Sequence, residues 1–441
     1  RKLPQQSNPI VLPNTIRQSA TILTELYPIS SGSLLYQLLP PDVRNGTFEY
    51  PRITTEHFQH EETTPEILTA RSDERYLTYQ SLIRGALARR MSTIIVVPIA
   101  IEATLIETML SRGIRDHVVI FSTEQTKRQR EVNYKKWSDT TTARLLITTP
   151  SHAYLERSDL AAIIVEQAAS NHYIMRQRPY LDHREALKTY AKTSGRSILL
   201  GDTVPRTEDE VKRREEDYFT HGETVKRIAF PSSLSIITQN DKPKPEAPFT
   251  LFSSELIHAV ERTIEARKKV FFYAARRGLA PVVACIDCGH IFRCPDSHTP
   301  YSLLRTNKNG EEERWFVSST SGRRVRAADV CSQCGSWRLR ERGIGIQHIY
   351  DEWQKLRPDI PITLLDHTTA TTARQAKKIA GQFFSERSGI LVGTQAALPF
   401  LSKKVAASAI ISLDATRSIP TWRADERLFR LLLYLREHTE R

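Results

Sequence analysis

The stretch YLTYQSLIRGALARRMSTIIVVPIAIEATLIETMLSRGIRDHVVIFS, residues 76–122, decides the fold class. Its apolar residues recur at helical spacing as far as Arg90, then run unbroken in STIIVVP (92–98). They return to helical spacing in IEATLIETMLSRG (101–113) and run unbroken again in HVVIFS (117–122). Short apolar runs alternating with amphipathic helices read as strands buried on both faces, which is the pattern of a parallel sheet.

Working outward, a charged helix is expected over 124–137 and strands at ARLLITTP (143–150) and AAIIVEQA (161–168). A basic helix follows over 182–192, then a strand at RSILLGD (196–202). One α/β lobe accounts for 66–238. QNDKPKPEAPFT (239–250) is polar and proline-rich, with nothing to pack, and is predicted to be a linker. Beyond it, SELIHAVERTIEARKK (254–269) is amphipathic and feeds the strand VFFYA (270–274), so a second lobe begins over 251–284. Alternation resumes over 341–441 through ITLLD (362–366), GILVGT (389–394) and AIISLD (409–414). The first 65 residues form an N-terminal extension with one predicted helix near Thr15 to Tyr27 and no assigned function.

What interrupts the second lobe is the cysteine-bearing segment 285–340. All five cysteines of the chain lie between Cys285 and Cys334, and two pairs read CIDCG (285–289) and CSQCG (331–335). Each pair sets two thiolates one tight turn apart, with Gly289 and Gly335 where the backbone must turn back. Two such knuckles complete a tetrahedral site, so Cys285, Cys288, Cys331 and Cys334 are predicted to hold one Zn2+. Cys294 opens CPDS with serine, Ser297, where a partner thiol would stand, and reads as a lone free cysteine. The intervening excursion, 295–330, contains GEEERWFVSSTSGRRVR (310–326), polar enough to predict partial disorder.

Lysine and arginine outnumber acids 63 to 50, a net charge of +13 that suits a polyanionic partner. With 40% hydrophobic and 26% charged residues, the chain falls outside the collagen-like and disordered classes. No apolar run reaches the roughly 18 residues a membrane span needs. The chain opens on Arg1 with no charged-then-apolar leader, and a cytoplasmic location is the expectation.

In order and spacing, AARRGLAP (274–281) running into CIDCG, CSQCGS (331–336), GIG (343–345), LVGTQ (391–395) and FRLLL (429–433) resemble the primosomal protein N′ (PriA) family, superfamily 2 DNA helicases of replication restart. VVPIAIEA (96–103), IIVEQAASNHY (163–173), RPYLDHRE (178–185) and LLGDTVP (199–205) are similar to further family segments, from about Glu66 to Arg441. The resemblance implies two tandem RecA-like helicase lobes with parallel sheets and a zinc-binding module inserted in the second. It also implies a chemistry that this chain has altered. The family's glycine-rich phosphate loop falls on TARSDERY (69–76), which lacks glycine and has Arg75 at the lysine position, read as a surface charge. The family's acidic DEEH falls on Glu166, Gln167, Ala168 and Ala169, leaving one carboxylate. Its arginine-rich motif falls on EHTER (437–441). Three cysteines of a second family zinc site fall on Ser297, Ser318 and Ser321.

ATP and Mg2+ therefore have no intact site, and no catalytic residue is assigned. The expected function is a PriA-like replication-restart, primosome-assembly protein that binds forked or single-stranded DNA without ATP hydrolysis, with restart proteins as partners. An active ATP-dependent 3′–5′ helicase and a zinc-dependent protein-interaction module are the alternatives.

Overall fold

A computed structural model describes residues 12–48, 63–122, 125–222, 228–237, 251–275, 282–308, 311–318, 321–342, 345–413 and 423–440. The chain divides into two compact units, Arg1–Ile228 and Ala229–Arg441. The expected linker, 239–250, and Arg276 and Arg277 of the family-like run lie outside the described residues.

In the first unit the apolar runs become β1 (Glu66–Thr69), β2 (Ser92–Val96), β3 (Val118–Phe121), β4 (Leu145–Thr148), β5 (Leu160–Glu166), β6 (Ser197–Asp202) and the short β7 (Phe219–Thr220). They form one parallel sheet in the order β3-β4-β2-β5-β6-β1-β7. Successive side chains of a strand point to opposite faces. Ile94, Leu146, Ile163 and Ile198 therefore enter one core, while Ile95, Ile147, Ile164 and Leu199 enter another on the far side. Three N-terminal helices, Asn14–Leu23, Ser31–Leu38 and Pro41–Arg44, belong to the first of these cores through Ile16, Ala20, Leu23, Leu34, Leu38 and Val43.

The second unit opens on β8 (Lys269–Tyr273), followed by β9 (Val282–Cys285), β10 (Ser302–Lys308), β11 (Glu311–Val317), β12 (Arg324–Arg326) and β13 (Leu339–Arg342). Then come β14 (Ile362–Leu365), β15 (Gly389–Gly393) and β16 (Ala407–Ile410). A parallel sheet runs β14-β15-β8-β16. The chain thus adopts the expected α/β class, with a parallel sheet in each unit and the cysteines between β8 and β14.

The excursion, expected to be partly disordered, carries regular structure over much of its described length. The excursion is ordered at β10, β11 and β12, which pair as a three-stranded antiparallel sheet. Its small core is built from Val283, Phe292, Cys294, Tyr301, Leu303 and Phe316, with Tyr301 and Phe316 stacked at 5.6 Å. Among the described residues, no helix is long and apolar enough to cross a membrane.

Candidate metal centre and the carboxyl edge of the first sheet

β9 and β13 pair in antiparallel register, Leu339 opposite Cys285. This pairing brings the two knuckles together. Cys285 Sγ lies 3.5 Å from Cys334 Sγ and Cys288 Sγ 3.6 Å from Cys331 Sγ, and all four sulfurs fall within 4.8 Å of one another. A tetrahedron with Zn–S bonds of about 2.3 Å has sulfur–sulfur edges of about 3.8 Å, so the donor set and its spacing fit a four-coordinate zinc. No disulfide competes for the thiols. Cys285 is lowered to about 7, first by the Cys288 backbone N–H. Cys334 receives the Ser336 N–H, yet shared protons with Cys288 and burial push it up to about 12. Four thiolates this close need a cation among them.

Among the described residues, the knuckle turn occurs four times in the module. Gly289 N donates to Cys285 O and Gly335 N to Cys331 O. In the same way, His298 N donates to Cys294 O and Gly322 N to Ser318 O, at 2.8–3.1 Å. Gly289, Gly335, Gly322 and His298 all take the left-handed backbone, with φ of 74°, 72°, 76° and 55°. The second pair of turns gathers Cys294, Ser297, Ser318 and Ser321. Ser297 Oγ is 3.1 Å from Ser318 Oγ, and Cys294 Sγ is 3.3 Å from Ser321 Oγ. Cys294 is thus buried in a hydroxyl cluster and is not simply a spare thiol. Burial pushes it up, but the Ser297 and Ser321 hydrogen bonds outweigh this and bring it down to about 6.

At the carboxyl edge of the first sheet, Arg75 is 2% exposed, which overturns its reading as a surface charge. The expected helix over 76–90 starts four residues early, at Ser72, so Arg75 lies in the first turn of the helix Ser72–Ala88. From there it reaches Glu166, at the end of β5 and wholly buried. Arg75 Nε donates to Glu166 Oε2 at 3.0 Å and Nη2 to Oε1 at 2.5 Å. Nη1 donates to Ala70 O at 2.6 Å and to Thr203 Oγ1 at 3.1 Å. Tyr79, one turn along the helix, donates its hydroxyl to Glu166 Oε2 at 2.7 Å. Burial opposes the charge on Arg75, but the Glu166 carboxylate more than offsets it and raises the group well above the ordinary arginine value.

This bridge depends on a glycine. β6 lies between β1 and β5, with Gly201 opposite both Leu68 and Glu166. Arg75 and Tyr79 pass over it, and a Cβ on Gly201 would sit 1.7 Å from Tyr79 Oη and 3.3 Å from Arg75 Cδ. The helix N-terminus is also occupied. Glu74 N donates to Asp73 Oδ1 at 3.0 Å and Arg71 N to Glu74 Oε2 at 3.3 Å, so acidic side chains take donors that a phosphate would use. Nearby, Glu102 on the helix Ala100–Leu110 is 9% exposed. Burial first, and then Glu166, raise its carboxyl to about 8.

The sequence reading missed Tyr79, Glu102 and Gly201. Tyr79 was recoverable, because it stands four residues after Arg75 and so on the same helix face. Glu437 ends the last helix, Ala424–Glu437, and Arg441 lies outside the described residues.

No family model matches the chain. Curated relatives do. Replication restart protein PriA of Bacillus subtilis (strain 168) is 23% identical over 365 residues, which is 80% of this chain and 43% of that protein. PriA of Chlamydia pneumoniae is 23% identical over 352 residues, 79% of this chain and 46% of that one. PriA of Haemophilus influenzae is 24% identical over 302 residues, 66% of this chain and 38% of its own length. The chain therefore spans less than half the length of these relatives. Among solved structures, Mss116p bound to ssRNA and AMP-PNP is 11% identical, covers 92% of this chain and 68% of its own, and gives a TM-score of 0.39. The yeast DEAD-box splicing factor Prp28 is also 11% identical, covers 93% and 84%, and gives 0.29. These scores add nothing to the sheet order above. With the cysteine module inserted after β8 of the second sheet, and with several PriA proteins aligned over most of the chain, the similarities support membership of the PriA family.

Proposed function

We propose that this chain is the helicase-like body of a replication-restart protein, binding DNA without hydrolysing ATP. The observation that carries the reading is the buried Arg75–Glu166 ion pair at the carboxyl edge of the first sheet. Ligands of parallel α/β sheets bind at that edge. A nucleotide there needs free backbone N–H groups, a cation free to meet phosphate and carboxylates free to hold Mg2+. In this chain Asp73 and Glu74 take backbone donors, Arg75 is spent on Glu166, and Glu166 is spent on Arg75 and Tyr79.

Cys285, Cys288, Cys331 and Cys334 would hold one zinc ion. Four thiolates leave no open coordination position, so the metal's chemistry is structural. The net charge of +13 and the kinship to PriA support forked or single-stranded DNA as the ligand and restart proteins as partners. Fluorescence anisotropy with labelled forked DNA tests the reading. Affinity should fall log-linearly with salt between roughly 50 and 200 mM and stay unchanged by ATP-Mg. Negligible affinity at the low-salt end would refute DNA binding, and an ATP-dependent affinity would refute the idle nucleotide edge.

A further inference from the structure

Trp337 stands two residues past Gly335 of the second zinc knuckle and is 78% exposed, the most exposed of the large apolar side chains among the described residues. Trp137 and Trp353, by contrast, are fully buried, and Trp315 is stacked beneath Arg324 at 4.2 Å. The exposure does not come from a loose backbone. Trp337 O accepts from Leu339 N at 2.8 Å, Ile286 N donates to Arg338 O at 2.9 Å, and Arg338 N donates to Ser336 Oγ at 3.0 Å. The Arg338 guanidinium is tied to Asp287 of the opposite knuckle at 2.9 Å. Both knuckles thus fix the main chain on either side of an indole that the fold leaves in water.

A rigid, solvated indole offers a preformed apolar face to a ligand. Protein interfaces of stable complexes need about 800 Å2 on each partner with a contiguous apolar core. The neighbouring apolar side chain on the facing knuckle, Ile286, is itself half exposed, and two side chains fall far short of such a patch. One ring is enough, however, for a nucleobase. Unpaired bases stack on single aromatic side chains beside cations that meet the phosphates. Arg338 adjoins Trp337, exposed Arg340 lies two residues beyond it, and residues 321–342 hold six arginines against two acids.

We infer that Trp337 is a stacking platform for a base of single-stranded DNA, held in place by the zinc knuckles. This inference rests on the DNA-binding reading above and gives it a specific residue. The test is a titration of the full chain with labelled oligo-dT across a salt series, for the unmodified protein, Trp337→Ala and Trp337→Phe, with zinc content measured for each. Trp337→Ala should weaken binding about 5- to 100-fold. Its salt slope should be unchanged, because no phosphate contact is lost. Trp337→Phe should recover most of the affinity, and all three proteins should carry the same zinc. If the unmodified chain binds and Trp337→Ala binds equally well with its zinc intact, the inference alone is overturned. If the unmodified chain fails to bind oligo-dT even at low salt, the inference falls together with the DNA reading beneath it.

Discussion

Arg75 and Glu166 form an ion pair at 2.5 Å with both side chains buried, at the carboxyl edge of the first sheet. Half of this arrangement is legible locally. Ser72, Asp73 and Glu74 are first-turn helix residues, and a helix starting there carries Arg75 inward above Gly201. Such long-range pairing, with Arg75 and Glu166 91 positions apart, leaves no trace in local periodicity. Removing one partner of a buried pair strands the other charge, so Arg75→Ala should destabilise the chain by about 3–5 kcal/mol in urea denaturation. Arg75→Met combined with Glu166→Leu should recover most of that loss. A surface arginine would shift stability by less than about 0.5 kcal/mol. Glu102 makes a second prediction. Its folded value of about 8 stands above the ordinary 4.5, so the folded chain holds a proton that the unfolded chain releases between those limits. Stability should therefore decline as pH rises from 4.5 to 8, by up to about 1.4 kcal/mol per pH unit, and Glu102→Gln should flatten that decline. Denaturation curves for both proteins at pH 5 and pH 8 would measure it, and identical pH slopes would count against it.

At the scale of elements, most strands of both sheets were legible because a buried parallel strand must be an unbroken apolar run, as in STIIVVP and GILVGT, while the short β1 and β7 gave no such run. The cysteine pairs were equally legible, since knuckle spacing is local. The ordered excursion was not. In EEERWFV, charged residues precede Trp315, Phe316 and Val317, and only Phe316 is firmly buried, so the alternation of a half-exposed antiparallel strand is faint. Two of the four matching turns were harder to read, because they carry serine or histidine in place of cysteine or glycine. Between them they keep one thiol, Cys294, where four would mark a metal site. Plasma emission spectroscopy should find one zinc per chain. The variant Ser297→Cys, Ser318→Cys, Ser321→Cys should bind two, because its second pair of turns is already folded for ligation. One zinc in a folded triple variant would contradict this. Because zinc binds thiolates, acidification should expel it by protonating them, and zinc uptake at neutral pH should release protons in calorimetry.

For the whole molecule, two parallel sheets and a cysteine module persist in the order that the family resemblance implies, while the carboxyl edge of the first sheet is closed by its own side chains. The fold class could be read from periodicity alone. The state of that edge could not, because it depends on three strands and a helix meeting over one glycine. A body with this edge closed should bind DNA with no energetic link to nucleotide, and losing even one transition-state donor costs about 100-fold or more in turnover. The most direct measurement is ATP hydrolysis by the purified chain with and without saturating forked DNA. The account predicts a rate at the buffer baseline in both cases, unchanged by Glu166→Gln. DNA-stimulated turnover that Glu166→Gln abolishes would contradict it.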